Sequence, residues 1–440
     1  MVKLLGAFSR LKPTKVMLLG DLMLDTYTSG RVERISPEAP VPILHVKGSE
    51  DLPGGAGNVA LNLKALGAEV ICVGRIGDDK EGLRLKTLFE QEEIATDGIF
   101  VQKGIHTPLK NRLIAEGQQL IRVDQECCTP LSTEVEQEVL SYIKEAIRQV
   151  EVVAISDYAK GFLSLSLLKE VIALAKKEGI PILVDPKGDD FTKYFGATLI
   201  KPNFKEAVSA AKVSQASPLD LIGESLLNET GAEMIMVTRS EEGITLFHQD
   251  QKRLDFPVKS KEVKDVTGAG DTVLAMVAMS MGSNLPLSEG IHLSNVAASL
   301  AIERLGCVRV SLSDLAERLL EINVENKIFQ EDHLFALEQA LFNKKLTILG
   351  INSDDGVTNA LFSHLQKLSK KSPDERLMIY LSSANEGLLS LLSSLHEVDF
   401  IVLQSDSLSH LIEKIGPKQV FTLSPEGVLQ KKSHEELISL

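Results

Sequence analysis

Positive charge is in short supply in this chain: 47 lysines and arginines face 61 acids, a formal net charge of −14 over 440 residues. That balance excludes a broad nucleic-acid surface, which needs a basic face, and leaves only local cationic pockets. Cysteine is scarce too. Cys72, Cys127, Cys128 and Cys307 show neither a C-x-x-C nor a Cys/His spacing suited to zinc. They are too few for a disulfide framework, so a reducing, cytoplasmic setting is expected. No apolar run approaches a membrane span, and Leu4-Leu5-Gly6-Ala7-Phe8 is too short for a signal-peptide core, so no membrane partner is expected. There is no G-x-x-x-x-G-K-[ST] loop, no protein-kinase signature set and no serine elbow with a matched His/Asp pair. Those phosphoryl-transfer and hydrolase classes drop out.

What remains is ordinary globular material, 44% hydrophobic and 25% charged, enough for two or three domains. Short runs rich in Val, Ile and Leu at Lys15–Asp21, Val70–Gly74, Val152–Asp157, Ile180–Asp185 and Met234–Thr238 read as buried parallel strands. They alternate with helical patterns at Asn58–Leu66, Thr133–Val150, Leu165–Glu178 and Leu219–Thr230, which makes the class α/β. Three strands end in acids: Asp21, Asp157 and Asp185. Ligands of an open parallel sheet bind beyond the carboxyl ends of its strands, so these acids are candidates for one cleft; each can equally cap the next helix. Thr26–Lys47 and Thr107–Asp124 break the rhythm with polar, partly alternating stretches suited to antiparallel strands. They form either a lid over the cleft or a dimer surface. After the helical Leu312–Ile322 the pattern restarts in a smaller α/β domain, with strands at Leu346–Ile351, Phe400–Leu403 and Gln419–Leu423. The expected division is 1–322 and 323–440.

The densest chemical signal is Asp265-Val266-Thr267-Gly268-Ala269-Gly270-Asp271, followed at once by an apolar helix pattern. Gly268 and Gly270 free the backbone to turn and gather bare N–H groups at a helix start, where the dipole favours phosphate. A carboxylate repels phosphate, so Asp271 is better placed to take a proton from an attacking hydroxyl. The plainer alternative is a helix start capped by Thr267 or Asp271.

A second glycine turn, Pro53-Gly54-Gly55-Ala56-Gly57-Asn58, also opens a helix. Gly55, Gly57 and Ala60 satisfy the loose dinucleotide fingerprint, but Pro53 and the polar residues before it replace the strand which that motif requires. Asn58 as a sugar-hydroxyl ligand, or a purely structural turn, fits better. Lys201-Pro202-Asn203-Phe204-Lys205-Glu206 begins a helix at another strand end. Asn203 and Glu206 fall together on its first turn, where they can hold a hydrated magnesium ion or simply form a capping box.

Together the two glycine turns resemble the signatures of the ribokinase-like sugar kinases across Lys15–Ile322. Arg34–Pro42, Gln118–Asp124, Ser156–Gly161 and Val184–Gly188 are similar to the kinase half of the bifunctional heptose-7-phosphate kinase and heptose-1-phosphate adenylyltransferase family, which feeds ADP-heptose into lipopolysaccharide core synthesis. The resemblance implies a ribokinase-like parallel sheet with a small β lid and phosphorylation of the anomeric hydroxyl of heptose 7-phosphate by ATP with Mg2+. It implies Asp271 as base with Gly268, Ala269 and Gly270 as anion hole. Asn203, Glu206 and Asp185 would organise the metal; Thr238, Ser240, Gly243, Thr267 and Asn295 would contact nucleotide. On the sugar side it points to Asp21, Asp25, Gly54, Gly55, Asn58 and Asp157. A substrate already phosphorylated at its far end needs cations, for which Lys110, Arg112, Arg122, Lys160 and Lys187 are the candidates. A homodimer is expected, and dependence on a monovalent cation stays open.

The smaller domain resembles the nucleotidyltransferase half, Rossmann-like in class. That superfamily uses an H-x-G-H turn, and Phe329-Gln330-Glu331-Asp332-His333 retains only its last histidine; Glu331 and Asp332 put negative charge where a triphosphate would lie. Ala384–Leu395 reads as inserted sequence, and Lys431–Leu440 shows no Ser/Thr-rich loop. A degenerate domain kept for dimerisation or stability is expected. The alternatives to the heptose kinase are a kinase for another sugar or sugar phosphate, a dinucleotide-dependent oxidoreductase resting on Gly55, and a non-catalytic module in which Asp271 is idle.

Overall fold

The computed structural model describes residues 4–126, 128–249, 251–258, 263–304, 306–322, 327–352, 358–369, 372, 374–403, 408–424 and 426–432. The chain divides into two compact units, Leu11–Ser311 and Met1–Arg10 with Leu312–Leu440.

The larger unit follows a short helix α1 (Leu4–Phe8). It runs β1 (Lys15–Gly20), β2 (Leu22–Ile35), β3 (Pro42–Gly55), α2 (Ala56–Ala65), β4 (Glu69–Gly77), α3 (Lys80–Gln91), β5 (Ile99–Gln102), β6 (Leu109–Ala115) and β7 (Gln118–Gln125). It continues through α4 (Thr133–Ala146), β8 (Val152–Ser156), α5 (Leu165–Glu178), β9 (Ile182–Asp185), β10 (Leu199–Ile200), α6 (Phe204–Ala210) and α7 (Leu219–Thr230). β11 (Met234–Thr238), β12 (Ile244–His248), β13 (Gln251–Phe256), α8 (Ala269–Gly282) and α9 (Leu287–Ile302) complete it. Nine strands form one sheet in the order β13-β12-β11-β10-β9-β8-β1-β4-β5. It is parallel from β11 to β5, with β12 and β13 as an antiparallel edge. β1 and β8 are apolar almost throughout because helices cover both faces of the sheet, and Val16, Leu18, Val153 and Ile155 are fully buried.

The two rhythm-breaking stretches form a separate four-stranded sheet, order β3-β2-β6-β7. β2–β3 and β6–β7 are antiparallel hairpins, but the central pair β2–β6 is parallel, with Leu24 opposite Leu109 and Tyr27 opposite Arg112. β7 is exposed along its whole length, and β2 passes from buried at Leu22 to exposed beyond Ser29. This sheet leaves Ile35, Val46, Ile121 and Val123 more than half exposed.

The smaller unit contains α10 (Leu312–Ile322), β14 (Ile328–Phe329), α11 (Leu334–Leu341), β15 (Lys345–Ile351), α12 (Asn359–Leu368), β16 (Glu375–Leu381), α13 (Glu386–Ser394), β17 (Phe400–Leu403), α14 (Leu408–Ile415), β18 (Gln419–Leu423) and β19 (Leu429–Lys432). The unit begins one helix before the expected boundary near Asn323, a residue outside the described set. The reason is packing: α10 lies on α11, and Phe8 of α1 meets Phe335 at 5.6 Å. The sheet order is β14-β17-β16-β15-β18-β19. The stretch read as an insertion, Ala384–Leu395, is the crossover helix α13, whose Leu388, Leu389 and Leu392 enter the core.

β15 lies between β16 and β18 and is parallel to both. Just past β15, residues 353–357, including Ser353 and Asp354, lie outside the described residues. Phe329–His333 begins in β14, a two-residue edge strand paired among the described residues to β17 alone. The His333 ring accepts from Gln330 N–H at 3.2 Å, closing a local turn. Of Lys431–Leu440, residues 433–440 are outside the described set.

Candidate active site

Asp271 stands on the first turn of α8. Gly268 precedes the helix with φ 79°, a conformation that L side chains rarely adopt, and no side chain caps the helix. Neither Thr267 nor Asp271 is the cap. Thr267 turns away, its amide and hydroxyl both donating to Asp265 Oδ1 (2.9 and 2.7 Å), while Asp265 Oδ2 accepts from Gly306 N–H at 2.9 Å. The loop is thus braced through Asp265, and the first-turn amides of Gly270 and Asp271 have no intrahelical acceptor.

The carboxylate of Asp271 is 5% exposed and points to neutral donors. Asn58 Nδ2 donates to Oδ2 at 2.7 Å and the Tyr158 hydroxyl to Oδ1 at 2.8 Å. Burial pushes the carboxyl up to about 6 against the Asn58 hydrogen bond; the charge of Asp185 adds to the rise, and Tyr158 and Lys201 oppose it. A helix start alone would have lowered it. A value near neutrality suits a general base, which must be ionised yet basic enough to accept a proton.

A cleft of about 990 Å3 opens from this carboxylate. Gly268, Ala269 and Gly270 line it with Asp185, Lys187, Lys201, Asn203, Glu206, Thr238, Ser240, Gly243 and Asn295, so the sequence-predicted nucleotide and metal residues converge except Thr267. Asp185 pairs with buried Lys201 at 2.9 Å; burial raises its carboxyl and Lys201 opposes the rise. Asn203 and Glu206 do form the capping box, each accepting the other's amide at 3.0 and 3.1 Å, and Glu206 Oε1 also takes Lys187 Nζ at 3.0 Å. Thr238 N–H donates to Pro202 O at 3.0 Å, drawing β11 to this corner. Ser240 (φ 49°) and Gly243 (φ 84°) make the turn into β12, where a Cβ on Gly243 would lie 2.1 Å from Phe256 O. Asn295 Nδ2 donates to that same carbonyl at 3.0 Å. Asp185, Asn203 and Glu206 offer oxygen ligands without a dedicated cage: among the described residues no group of three or more His, Cys, Asp or Glu could hold a metal. Such sparse hard donors match a hydrated magnesium ion shared with phosphates.

A second set of residues approaches Asp271 without lining that cleft. A Cβ on Gly268 would lie 2.9 Å from Asn58 Nδ2 and 3.7 Å from Cys307 Sγ, and Cys307 Sγ is 4.0 Å from Asp25 Oδ2. Asp25 Oδ1 accepts from Arg112 Nη1 at 2.7 Å, and the Arg112 guanidinium lies 5.1 Å from the Tyr27 ring centroid. Gly54 must be glycine beside this pair, since a Cβ there would come within 2.4 Å of Asp25 Oδ2. Gly55, with φ 57°, turns the chain from β3 into α2 and delivers Asn58.

The remaining predicted residues divide. Asp21 is buried and grips backbone: its carboxylate accepts from Tyr158, Lys160 and Phe162 N–H at 2.9, 3.0 and 3.2 Å. Asp157 is tied to Lys193 Nζ (2.7 Å), the Tyr194 hydroxyl (2.6 Å) and Ala159 N–H (2.7 Å). Lys110 and Lys160 meet on one carboxylate, Glu126, at 2.5 and 2.7 Å. Lys110 also reaches Asp124 at 3.4 Å, which accepts Arg122 Nε at 2.8 Å. Arg112 and Lys187 belong to neither; they pair with Asp25 and Glu206.

Tyr158, Lys201, Glu126 and Cys307 escaped sequence reasoning as site residues. Tyr158 and Lys201 carried a usable signal, since each lies just past a strand whose neighbours had been singled out.

The pfkB family carbohydrate kinase pattern matches residues 13–315, more than half of the chain. The chain belongs to that family. This kinase is similar over its length to relatives named bifunctional protein HldE: that of Trichlorobacter lovleyi is 35% identical over 461 residues, covering 96% of this chain and 91% of the relative. The Hydrogenovibrio crunogenus protein is 36% identical over 428 residues, covering 92% and 87%. The fold is that of Arabidopsis thaliana ribokinase, solved with ribose and ATP (TM-score 0.55, 19% identity, 70% of this chain and 99% of that one). Escherichia coli phosphofructokinase-2 with fructose-6-phosphate gives a TM-score of 0.57 at 20% identity, with the same coverage. The chain is a carbohydrate kinase with a ribokinase-like α/β fold and a second α/β unit. The dinucleotide fingerprint at Gly55 therefore marks a turn that carries Asn58, and no oxidoreductase reading survives.

Proposed function

We propose that this kinase transfers the γ-phosphoryl group of ATP to the anomeric hydroxyl of D-glycero-β-D-manno-heptose 7-phosphate, giving the 1,7-bisphosphate in ADP-heptose synthesis. The observation that carries the reaction is Asp271, a buried carboxylate with neutral partners at a helix start that opens on the cleft. Its raised proton affinity lets it take the hydroxyl proton as the oxygen attacks. Amides of Gly268, Ala269 and Gly270, aided by Lys201 and Lys187, face the negative charge spread over the transferring oxygens. Asp185, Asn203 and Glu206 would hold a hydrated Mg2+, which supplies charge neutralisation between phosphates when bound. Thr238, Ser240, Gly243 and Asn295 surround the nucleotide, while Thr267 shapes the turn through Asp265.

The heptose assignment draws on the motif resemblance at Arg34–Pro42, Gln118–Asp124, Ser156–Gly161 and Val184–Gly188. It is supported by the Lys110, Lys160 and Arg122 cluster, which suits a terminal phosphate. Asp25, Arg112 and Asn58 serve the sugar ring. Asp21 and Asp157 contribute by holding the loop after β8 rather than by touching sugar. The exposed apolar residues of the four-stranded sheet support a homodimer, and no described helix is long and apolar enough to cross a membrane, in keeping with a cytoplasmic enzyme. Phe329–His333 keeps only the last histidine of an H-x-G-H turn and carries Glu331 and Asp332, which supports loss of adenylyl transfer.

The decisive assay supplies Mg-ATP with heptose 7-phosphate, heptose lacking the 7-phosphate, and fructose 6-phosphate, and measures ADP release together with the phosphorylated product, a bisphosphate from either sugar phosphate and a monophosphate from the plain heptose. A preference for heptose 7-phosphate of about a hundredfold in kcat/KM is expected from losing two charge-assisted contacts. Equal use of the unphosphorylated sugar refutes the terminal-phosphate assignment.

A further inference from the structure

Asp271 is held at both oxygens, yet only Asn58 comes from a glycine-rich signature. The other donor is Tyr158, from the turn after β8. We propose that Tyr158 is a positioning residue for phosphoryl transfer: its hydroxyl fixes Oδ1 of Asp271 so that the remaining lone pairs face the acceptor hydroxyl, and it stabilises the charge the base carries beforehand.

The turn that presents Tyr158 is over-determined. Asp21, directly after central strand β1, accepts three of its amides, at Tyr158, Lys160 and Phe162. Asp157 accepts a fourth, from Ala159, which adopts the left-handed φ of 54°. Gly161, at φ 91°, passes so close to Thr129 O that a Cβ would lie 2.3 Å away. A backbone pinned at four amides leaves the phenol little freedom, and its hydroxyl ends 2.8 Å from Oδ1. Two acids buried for other reasons, Asp21 and Asp157, thereby acquire a purpose in aiming one hydroxyl.

The surroundings explain why a donor is needed there. Asp185 and Lys201 from the strand ends act on Asp271 with opposite signs, Asn58 donates from α2, and Cys307 is close enough for its thiol to respond to the Asp271 charge. Burial pushes that thiol up to about 12, so it stays neutral. Tyr158 is likewise driven well above an ordinary phenol, first by burial and then by Asp271, so it keeps its proton. In the transfer the sugar O–H proton passes to a free lone pair of Asp271. The oxygen bonds to the γ-phosphorus while the bond to the leaving ADP oxygen breaks, and Tyr158 donates throughout without giving up its own proton.

The inference rests on Asp271 being the base. The test compares wild type, Tyr158→Phe, Asp271→Asn and the double variant on whichever sugar wild type phosphorylates, from about pH 5 to about pH 9. Tyr158→Phe should leave the thermal midpoint within a few degrees and both KM values within about threefold, and lower kcat about tenfold or more. The acid limb of its kcat profile should move up by about one pH unit, since a donor to the charged form is lost. In the Asp271→Asn background the same change should alter residual kcat less than about twofold, because coupled residues are not additive. A fluorinated tyrosine at 158, a stronger donor of nearly the same shape, should move the limb down, which keeps the test valid if Tyr158→Phe does not fold. An unmoved limb in both variants, or an equal kcat loss with and without Asp271, overturns the proposal. Near-normal turnover in Asp271→Asn alone overturns the base assignment instead.

Discussion

Replacing Asp271 by Asn should make the protein inactive and, at neutral pH, more stable. The side chain keeps its shape: the new carbonyl can accept from Asn58 while the amide donates to the Tyr158 oxygen, so neither neighbour loses its partner. Losing the base should cost roughly 10²–10⁴ in kcat with little change in KM. The stability effect follows from proton linkage. The folded carboxyl is raised from 3.8 to about 6, a difference of about two units or about 3 kcal/mol. The sign is that of a raised acid: the folded state binds the proton more tightly than the unfolded state. The burden on the fold is therefore absent below the unfolded value, grows as pH rises from about 4 to about 6, and is fully present above that. Asparagine carries no charge at any pH and escapes it. The variant should thus gain up to about 3 kcal/mol at about pH 8, read as an upward shift of a few degrees in thermal midpoint, and gain almost nothing near pH 4. Urea titrations of both proteins at the two pH values, with kcat measured alongside, test this. A stability difference that does not change with pH, or a variant less stable at pH 8, would show that the carboxylate is not ionised against its burial, and the reasoning for a poised base would fail with it.

Three further outcomes are open to simple measurement. Glu126→Gln should release Lys110 and Lys160 from their shared counter-ion and lower KM for heptose 7-phosphate about three- to tenfold, whereas Lys160→Met should raise it about tenfold or more, both at nearly constant kcat; a rise in KM for Glu126→Gln contradicts displacement of Glu126 by the phosphate. Lys201→Met leaves the mostly buried Asp185 carboxylate at the cleft wall without its cation and should destabilise the kinase unit by up to about 3 kcal/mol at neutral pH in urea titration. The loss should shrink as acid protonates Asp185, because the abandoned carboxyl is raised and its cost is present only above its unfolded value; a pH-independent loss contradicts this. Given heptose 1-phosphate and Mg-ATP, the full chain should form no ADP-heptose above background, and sustained turnover would overturn the reading of its second unit.

Elements whose identity depends on local pattern were legible in the sequence. Helices at Leu165–Glu178, Leu219–Thr230 and Leu312–Ile322 begin and end where periodicity places them, and β1, β8 and β11 fall on their apolar runs. What eluded the sequence depends on partners distant along the chain. The central β2–β6 pair is parallel because the two hairpins join side by side, which no alternation pattern encodes. Ala384–Leu395 looked foreign against a family pattern, yet its leucines at 388, 389 and 392 already spell a one-sided helix. The Phe329–His333 turn, located by its resemblance to the family's first helix and second strand, begins on an edge strand, which the strand order alone reveals. Within the site, Asp271, Asn58, Asn203 and Glu206 announced themselves through glycine turns and helix starts. Tyr158, 113 residues before Asp271, could be found only through the fold that joins them.

The structure also supplies a reason for choosing Asp271 among so many acids. Most of the other carboxylates around the cleft and among the sugar-side residues are committed to a cation or to backbone. Asp25 has Arg112, Asp157 has Lys193, Asp185 has Lys201, Glu206 has Lys187, and Glu126 has two lysines. Asp21 is spent on three amides. A salt-bridged carboxylate is a weak base, because the cation that stabilises its charge opposes protonation. Burial raises Asp185 as well, but that acid is held in an ion pair with Lys201; Asp271 is the cleft acid that joins burial to hydrogen bonds from neutral donors, which suits it to accept a proton. The ion pairs around it therefore serve catalysis indirectly: by neutralising their own acids they keep spare negative charge away from the phosphates, and by pairing Lys201 with Asp185 they leave Asp271 hydrogen-bonded to neutral donors, so that Lys201 only partly offsets the effect of burial.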